Sequence, residues 1–385
     1  MMKRTPANQR LALSTRCIHG TGPSPDATGA IVRPIYQTAT FAHPGVNQST
    51  GYDYSRVTNP TRQAFESTMA SLESGWRALA FTSGMAAIAT ILELFKPGDH
   101  IVVGADLYGG THRLIAQVSA KNGLRFSAGQ DTAAIIAAIR PRTAAILVET
   151  PSNPMMRVID IAATGEAAHK AGARLIVDNT FLTPYFQRPL ELGADLVIHS
   201  ASKYLAGHND TIAGLAVAAD PALGERLEAL RSTIGGALAP FDSWLCLRGL
   251  KTLAVRLERQ AATANGLADW LRHHPGVSAV YYPGLSDHPD YDVSQRQASG
   301  HGAVVSFRVD TAARAAHLLS AVRLIQFAES LGGTESLLTY PLTQTHADMT
   351  EEQRQAVGID GRLLRLSVGL EEEADLRADL RAALG

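Results

Sequence analysis

The sequence predicts an α/β protein: an open, doubly wound, mostly parallel sheet followed by a smaller α+β unit. Three observations carry this. From about Arg62, short aliphatic runs alternate with longer amphipathic ones. Several of the short runs, such as Ile101-Val102-Val103 and Leu175-Ile176-Val177, are apolar throughout, as strands covered on both faces must be. After Gly236 the rhythm changes to fewer strands and longer helical stretches.

In chain order, strands are expected at 78–82, 100–103, 124–127, 144–149, 174–178, 195–199 and 212–217. Helices are expected between them at 85–95, 111–121, 132–139 and 161–171, where apolar residues recur at helical spacing. Residues 243–271 read as one long amphipathic helix bridging two units. Strands at 277–282, 303–309 and 363–367 and helices at 312–321 and 373–383 then form the smaller unit. The first 60 residues are rich in Pro, Gly, Thr and Asn, yet carry Tyr36, Phe41, Tyr52 and Tyr54. Aromatic rings need burial, so this segment is expected to be an ordered arm packed on something else. The division is therefore an arm at 1–61, a large unit at 62–249 and a small one at 250–385.

Composition bounds the function. In 385 residues, 35 Lys and Arg stand against 36 Asp and Glu, a formal charge of −1. That balance removes the electrostatic case for nucleic acid or an anionic membrane surface. The 45% hydrophobic content is ordinary for a packed globular protein. Two cysteines, Cys17 and Cys246, exclude a disulfide framework and a multi-cysteine zinc site. Residues 1–15 hold no apolar run fit for a signal peptide, and no stretch approaches the ~20 apolar residues of a membrane span. A cytoplasmic protein is expected.

The chemistry concentrates where strands end. The run 195–199 leads directly into Ser200, Ser202 and Lys203. Open α/β sheets bind ligands beyond the carboxyl ends of their strands. A partly desolvated lysine there becomes a nucleophilic amine, and the serines offer hydroxyls to a phosphate. One strand earlier, Asp178 ends an apolar run at the same height. It could bind a cation, cap a helix or pair with a protonated ring nitrogen. Lysine and acid together match pyridoxal phosphate, which needs an amine for its aldehyde and an acid to keep its ring nitrogen protonated. Ser83-Gly84-Met85 opens a helix after the first strand, where N–H groups and the helix dipole favour an anion. Tyr108, after the second strand, could stack on a planar ring or simply pack. No Gly-x-Gly-x-x-Gly follows the first strand, which argues against a nicotinamide enzyme. The histidines at 199, 208, 288, 301 and 346 are scattered and read as polar or core residues, so no metal is expected.

Ordered along the chain, these segments resemble the pyridoxal-phosphate enzymes of cysteine and methionine metabolism, the trans-sulfuration family. The matching stretches are Tyr54-Ser-Arg-Val-Thr-Asn-Pro-Thr-Arg62, Asp106-Leu-Tyr-Gly-Gly-Thr111, Glu149-Thr-Pro-Ser-Asn-Pro154, Val177-Asp-Asn-Thr-Phe181 and His199-Ser-Ala-Ser-Lys-Tyr204. Ser83-Gly-Met85, Ala239-Pro-Phe-Asp-Ser-Trp-Leu245, Ser330-Leu-Gly-Gly-Thr-Glu-Ser336 and Leu364-Arg-Leu-Ser-Val-Gly-Leu370 complete the set. The resemblance implies an aspartate-aminotransferase-like fold, pyridoxal phosphate as cofactor, and a homotetramer built from dimers with shared active sites. It also implies roles. Lys203 would hold the cofactor's aldehyde and later move protons. Asp178 would pair with the ring nitrogen, Tyr108 would stack on the ring, and Asn153 would sit near the ring hydroxyl. Ser200, Ser202, Ser83, Gly84 and Met85 would bind the phosphate, joined by Tyr54 and Arg56 of a neighbouring subunit. Arg365 would clamp the substrate α-carboxylate through its fork, and Ser336 would position Lys203.

Within the family, methionine γ-lyases carry Cys two residues after the stacking tyrosine, where this chain has Gly110. The segments at 49–54, 207–212 and 339–346 look most like cystathionine γ-synthases and O-acylhomoserine thiolyases; that at 239–249 looks equally like β-lyases. The expected reaction is γ-replacement on an O-acylhomoserine, with cleavage of cystathionine as the alternative.

Overall fold

The computed structural model describes residues 11–20, 22 and 28–385. The readings made on residues 1–10, 21 and 23–27, including the start of the arm, lie outside the described residues. A seven-stranded sheet comprises β1 (Arg77–Phe81), β2 (His100–Gly104), β3 (Arg125–Gly129), β4 (Thr143–Glu149), β5 (Arg174–Asp178), β6 (Leu196–Ser200) and β7 (Gly214–Ala218). Its order is β1-β7-β6-β5-β4-β2-β3, and only β7 runs antiparallel to its neighbours. Each expected strand is present within two residues of its expected limits. A second sheet, order β10-β11-β12-β9-β8, contains β8 (Val277–Tyr281), β9 (Val304–Val309), β10 (Gln326–Phe327), β11 (Leu337–Thr339) and β12 (Leu363–Ser367).

The continuous apolar strands are buried on both faces. Val102, Val148, Val177 and Val197 pack on one side with Phe65 and Met69 of helix Pro60–Leu72. Ile101, Leu147, Ile176 and Ile198 pack on the other with Ile88 and Ile91 of helix Gly84–Leu92. Alternation along each strand thus feeds two separate cores.

Several elements were not legible from periodicity. Helix Pro60–Leu72 begins with Asn59, whose side chain accepts from the Thr61 and Arg62 N–H groups, and with Pro60 at the first turn. Helix Pro221–Ile234 starts the same way on Asp220. Strands β10 and β11 are two and three residues long, too short to show alternation. The single helix expected at 243–271 is two: Pro240–Leu250 and Leu253–Arg272. The reason is a close approach from elsewhere in the fold. Gly249 packs so tightly on the turn after Lys203 that a Cβ would stand 2.2 Å from the Ala206 carbonyl. The Gly249 carbonyl is then taken by Arg256 Nη2 at 2.8 Å and Thr252 Oγ1 at 3.2 Å.

The described part of the arm is fastened to the large sheet by buried cations. Arg231 donates to Val57 O at 3.1 Å and to Ala80 O at 3.3 Å, and ion-pairs with Glu66. Arg62 donates to Val57 O at 3.0 Å and Leu238 O at 3.1 Å. Removing one partner of a buried pair strands the other, at a cost of about 3–5 kcal/mol. Arg231→Leu should therefore lower the denaturant midpoint by an amount equivalent to that range. A midpoint equal to that of the native sequence would show that Arg62 at 3.5 Å and the Ala80 N–H at 2.9 Å suffice to hold Glu66.

Candidate functional site

Chain order reverses in the sheet between β2 and β4: β3 lies outside β2, while β5 and β6 continue beyond β4. Ligands bind at the carboxyl ends of strands flanking such a switch. Tyr108 follows β2, Glu149 ends β4 with Asn153 just beyond, Asp178 ends β5, and Ser200 and Lys203 close β6. Glu149 and Asp178 are direct partners in the strand register.

An anion cradle stands at one side. Ser83 caps helix Gly84–Leu92 by accepting the Ala86 N–H at 3.0 Å, which leaves the N–H groups of Gly84 and Met85 outside the helical ladder. A Cβ at Gly84 would lie 3.2 Å from Ser200 Cα, and one at Gly214 would lie 2.0 Å from the Ser83 carbonyl. Glycine at both places lets three backbone segments converge. Ser200 gives its N–H to Thr180 Oγ1 at 2.8 Å, leaving its hydroxyl facing Gly84. The Ser202 hydroxyl is more committed. It donates to the Ala213 carbonyl at 3.2 Å and accepts the Ala213 N–H at 2.9 Å, fastening the Lys203 turn to the chain before β7.

Lys203 Nζ donates to Ser330 Oγ at 2.7 Å. Burial, with the nearby Arg365 charge, pulls the amine down to about 8, against an opposing contribution from Glu329. Ser336, expected to position Lys203, does not bond it. Its hydroxyl donates to Glu371 at 2.8 Å and accepts the Gly369 N–H at 2.8 Å. The two serines lie six residues apart in one segment, and only tertiary packing separates them. Gly332 (φ +79°) presses on the backbone between Lys203 and Tyr204, where a Cβ would meet Tyr204 N at 2.7 Å, and this brings Ser330 to the amine.

Arg365 on β12 is buried. Its Nη1 donates to Asn153 Oδ1 at 2.8 Å, and its Nη2 to Ser330 O at 2.9 Å and Thr339 Oγ1 at 3.1 Å. Its Nε is buried with no partner among the described residues, a donor left for an incoming carboxylate. Burial lowers this guanidinium to about 10, so it stays cationic at neutral pH.

The acids answer these cations. Thr180 gives both its N–H (3.0 Å) and hydroxyl (2.5 Å) to Asp178 Oδ1, so Oδ2 is the oxygen left to a ligand. Burial raises Asp178, with the Thr180 bonds and the His199 charge opposing. Burial, then the charge of Asp178, raises Glu149 well above the carboxylate range. Glu149 accepts the Tyr108 N–H at 3.0 Å and so fixes the residue whose ring, 41% exposed, overlooks the site. A Cβ at Gly110 would stand 2.5 Å from that ring and 3.0 Å from Met85 Sδ, so the ring as placed leaves no room for a side chain there.

Tyr54 and Arg56 form their own pair, the guanidinium 5.6 Å from the ring centroid, and Arg56 Nη1 donates to Ser232 O at 2.8 Å. No hydrogen bond or ion pair joins either to Lys203 within the chain. Sequence reasoning missed Ser330, Thr180 and Glu149. Of these, Glu149 ends an apolar strand beside Asp178 and was open to the same argument.

The donor set fits pyridoxal phosphate: a depressed amine, a half-buried carboxylate with one free oxygen, and N–H groups with a free hydroxyl where glycines bring backbones together. Among the described residues, no three His, Cys, Asp or Glu are grouped to hold a metal, and no helix is long and apolar enough to cross a membrane. The profile of the Cys/Met metabolism PLP-dependent enzyme family matches residues 14–385. The chain is 48% identical to a cystathionine γ-synthase/O-acetylhomoserine (thiol)-lyase of Bacillus subtilis, covering 94% of this chain and 93% of that one. It is 47% identical to a cystathionine β-lyase of Coxiella burnetii, covering 98% and 99%. The crystal structure of cystathionine γ-lyase from Lactobacillus plantarum complexed with L-serine superposes with a TM-score of 0.93 at 45% identity, covering 97% and 98%. This chain belongs to the pyridoxal-phosphate-dependent enzymes of cysteine and methionine metabolism.

Proposed function

We propose that the chain replaces the γ-substituent of an O-acylhomoserine with a sulfur nucleophile, as a cystathionine γ-synthase does. The observation that carries the amino-acid chemistry is Ser330. Its hydroxyl holds the Lys203 amine at 2.7 Å and its carbonyl holds the Arg365 guanidinium at 2.9 Å. A carboxylate bound at Arg365 therefore brings its α-carbon toward the Lys203 amine. The synthase-like segments and the 48% identical Bacillus subtilis relative support replacement at the γ-carbon. A second reading, β-elimination from cystathionine, is favoured by the segment 239–249 and by the 47% identical β-lyase.

Pyridoxal phosphate, when bound, draws off the electrons left as the substrate α-proton departs. The Gly84 and Met85 N–H groups with Ser200 and Ser83 would hold its phosphate, joined by Ser202 once its hydroxyl turns from the Ala213 carbonyl; Tyr108 would cover its ring, and Asn153 would lie by its hydroxyl. Asp178 would keep the ring nitrogen protonated, an ion pair that offsets the burial raising Asp178 alone. Lys203, depressed to about 8, is partly unprotonated at neutral pH and so serves as general base. Held by a single hydroxyl, the amine can turn from the α- to the β-carbon, as γ-chemistry requires. Glu329 is exposed and close enough to influence Lys203 and Arg365, offering a carboxylate to the ammonium of an amino-acid sulfur donor.

The same reading includes the arm, the large and small units bounded at 61/62 and 249/250, a cytoplasmic location, and a homotetramer with sites shared across a dimer. Ile31 and Val46 are about nine-tenths exposed in the single chain, which supports cover by a second copy.

Product analysis tests the reaction. An O-acylhomoserine with cysteine should give cystathionine; homocysteine and pyruvate from cystathionine, without synthesis, would establish the β-lyase instead. The pH sign follows from the amine. Since a neutral amine captures an aldehyde, uptake of pyridoxal phosphate by the apoprotein should quicken with pH and level off above about 8. Lys203→Ala should abolish the visible absorption band, and a colourless native enzyme would overturn the cofactor site. For the shared site, mixed inactive Arg56→Ala and Lys203→Ala subunits should recover activity; none despite proven exchange refutes it.

A further inference from the structure

On the far side of the strand ends lies a buried polar network that the chemistry above does not use. Glu73, just after helix Pro60–Leu72, and His199, on β6, are both completely buried. Glu73 Oε1 accepts His199 Nε2 at 2.6 Å and also Asn179 Nδ2 at 3.1 Å. Asn179 Nδ2 further donates to Gln187 O at 2.8 Å. Gln187 Nε2 returns a bond to Asn179 Oδ1 at 3.0 Å and another to Thr150 O at 3.1 Å. One carboxylate thus gathers the ends of β4, β5 and β6, and Asn179 is the residue directly after Asp178.

The turn Asp178-Asn179-Thr180 is gripped from two sides. Thr180 Oγ1 bonds both Asp178 Oδ1 and the Ser200 N–H, while the Asn179 N–H goes to Ile198 O at 2.9 Å and its side chain goes to Glu73. The network is costly: Glu73 Oε2 and His199 Nδ1 are buried with no partner among the described residues. A well-packed apolar cluster would serve stability at least as well as an incompletely satisfied ion pair. What such a pair supplies is fixed geometry.

We propose that Glu73, through His199 and Asn179, is a positioning residue that aims the Asp178 carboxylate at the ring nitrogen of the cofactor. The inference rests on the reading of Asp178 given above. The charge of His199 acts on Asp178 in the direction that favours its anion, consistent with this placement.

The test compares two ligands on the purified apoprotein: pyridoxal phosphate, and its analogue with carbon in place of the ring nitrogen. Dissociation constants are measured by absorbance titration. Glu73→Leu removes both bonds and should weaken pyridoxal phosphate about tenfold, as expected for losing one pKa unit of coupling, but the analogue by less than about twofold. Glu73→Gln keeps an acceptor oxygen and should restore most of the difference. Equal losses on both ligands, or no loss, overturn the proposal. Asp178→Asn separates the two readings. If it too weakens both ligands equally, the assignment of Asp178 has failed. If it discriminates and Glu73→Leu does not, only the present inference has failed. Should Glu73→Leu not fold, Asn179→Ser decides by the same comparison. Failure of both to fold marks the network as a folding requirement and also overturns the proposal.

Discussion

Two cations held against one small residue organise this molecule. Lys203 comes from the turn after β6 of the large sheet and Arg365 from β12 of the second, and Ser330 binds both. Burial first, and then the like charge of Arg365, pull the lysine amine down to about 8, where it becomes usable as a base. The second sheet therefore does more than close the site. By inserting Arg365 and the loop carrying Ser330, it tunes a residue belonging to the first.

Opposite these cations stand Glu149 and Asp178, side by side in the register of β4 and β5. Each is raised by burial, and Glu149 also by its neighbour. The pair is poorly balanced within the chain. A cationic ring nitrogen beside Asp178 and an anionic substrate carboxylate beside Arg365 would complete two half-satisfied groups at once. The unpartnered Arg365 Nε and the free Asp178 Oδ2 are the atoms that such completion would use. The overall charge of −1 conceals this local gathering of two cations and two acids.

Much of the site was legible because parallel sheets present chemistry at strand ends. An apolar run stopping at Asp178, and another stopping just before Ser200 and Lys203, place those side chains at one edge before any coordinates exist. Ser83 and Gly84 were legible through helix-start chemistry. Ser330 was not, since nothing local distinguishes it from Ser336; the choice is made by Gly332 packing on the Lys203 backbone. Thr180 was hidden similarly, because its role lies in bonds to Asp178 and Ser200 across two strands. The break between Leu250 and Leu253 was invisible to periodicity, since Arg256 and a close approach at Gly249 cause it.

By itself the sequence determined the α/β class, the strands of the large sheet, the family and the residues at the strand ends. These follow from local rules: alternation, apolar runs and the residue types that chemistry demands. Tertiary structure alone decided which serine holds Lys203, what surrounds Arg365, and that Glu73 and His199 meet beneath the strand ends, 126 positions apart in the chain. The physical reason is common to all three. Each is a hydrogen bond between residues distant in sequence, and its partner is fixed by how layers stack rather than by anything the neighbouring residues encode.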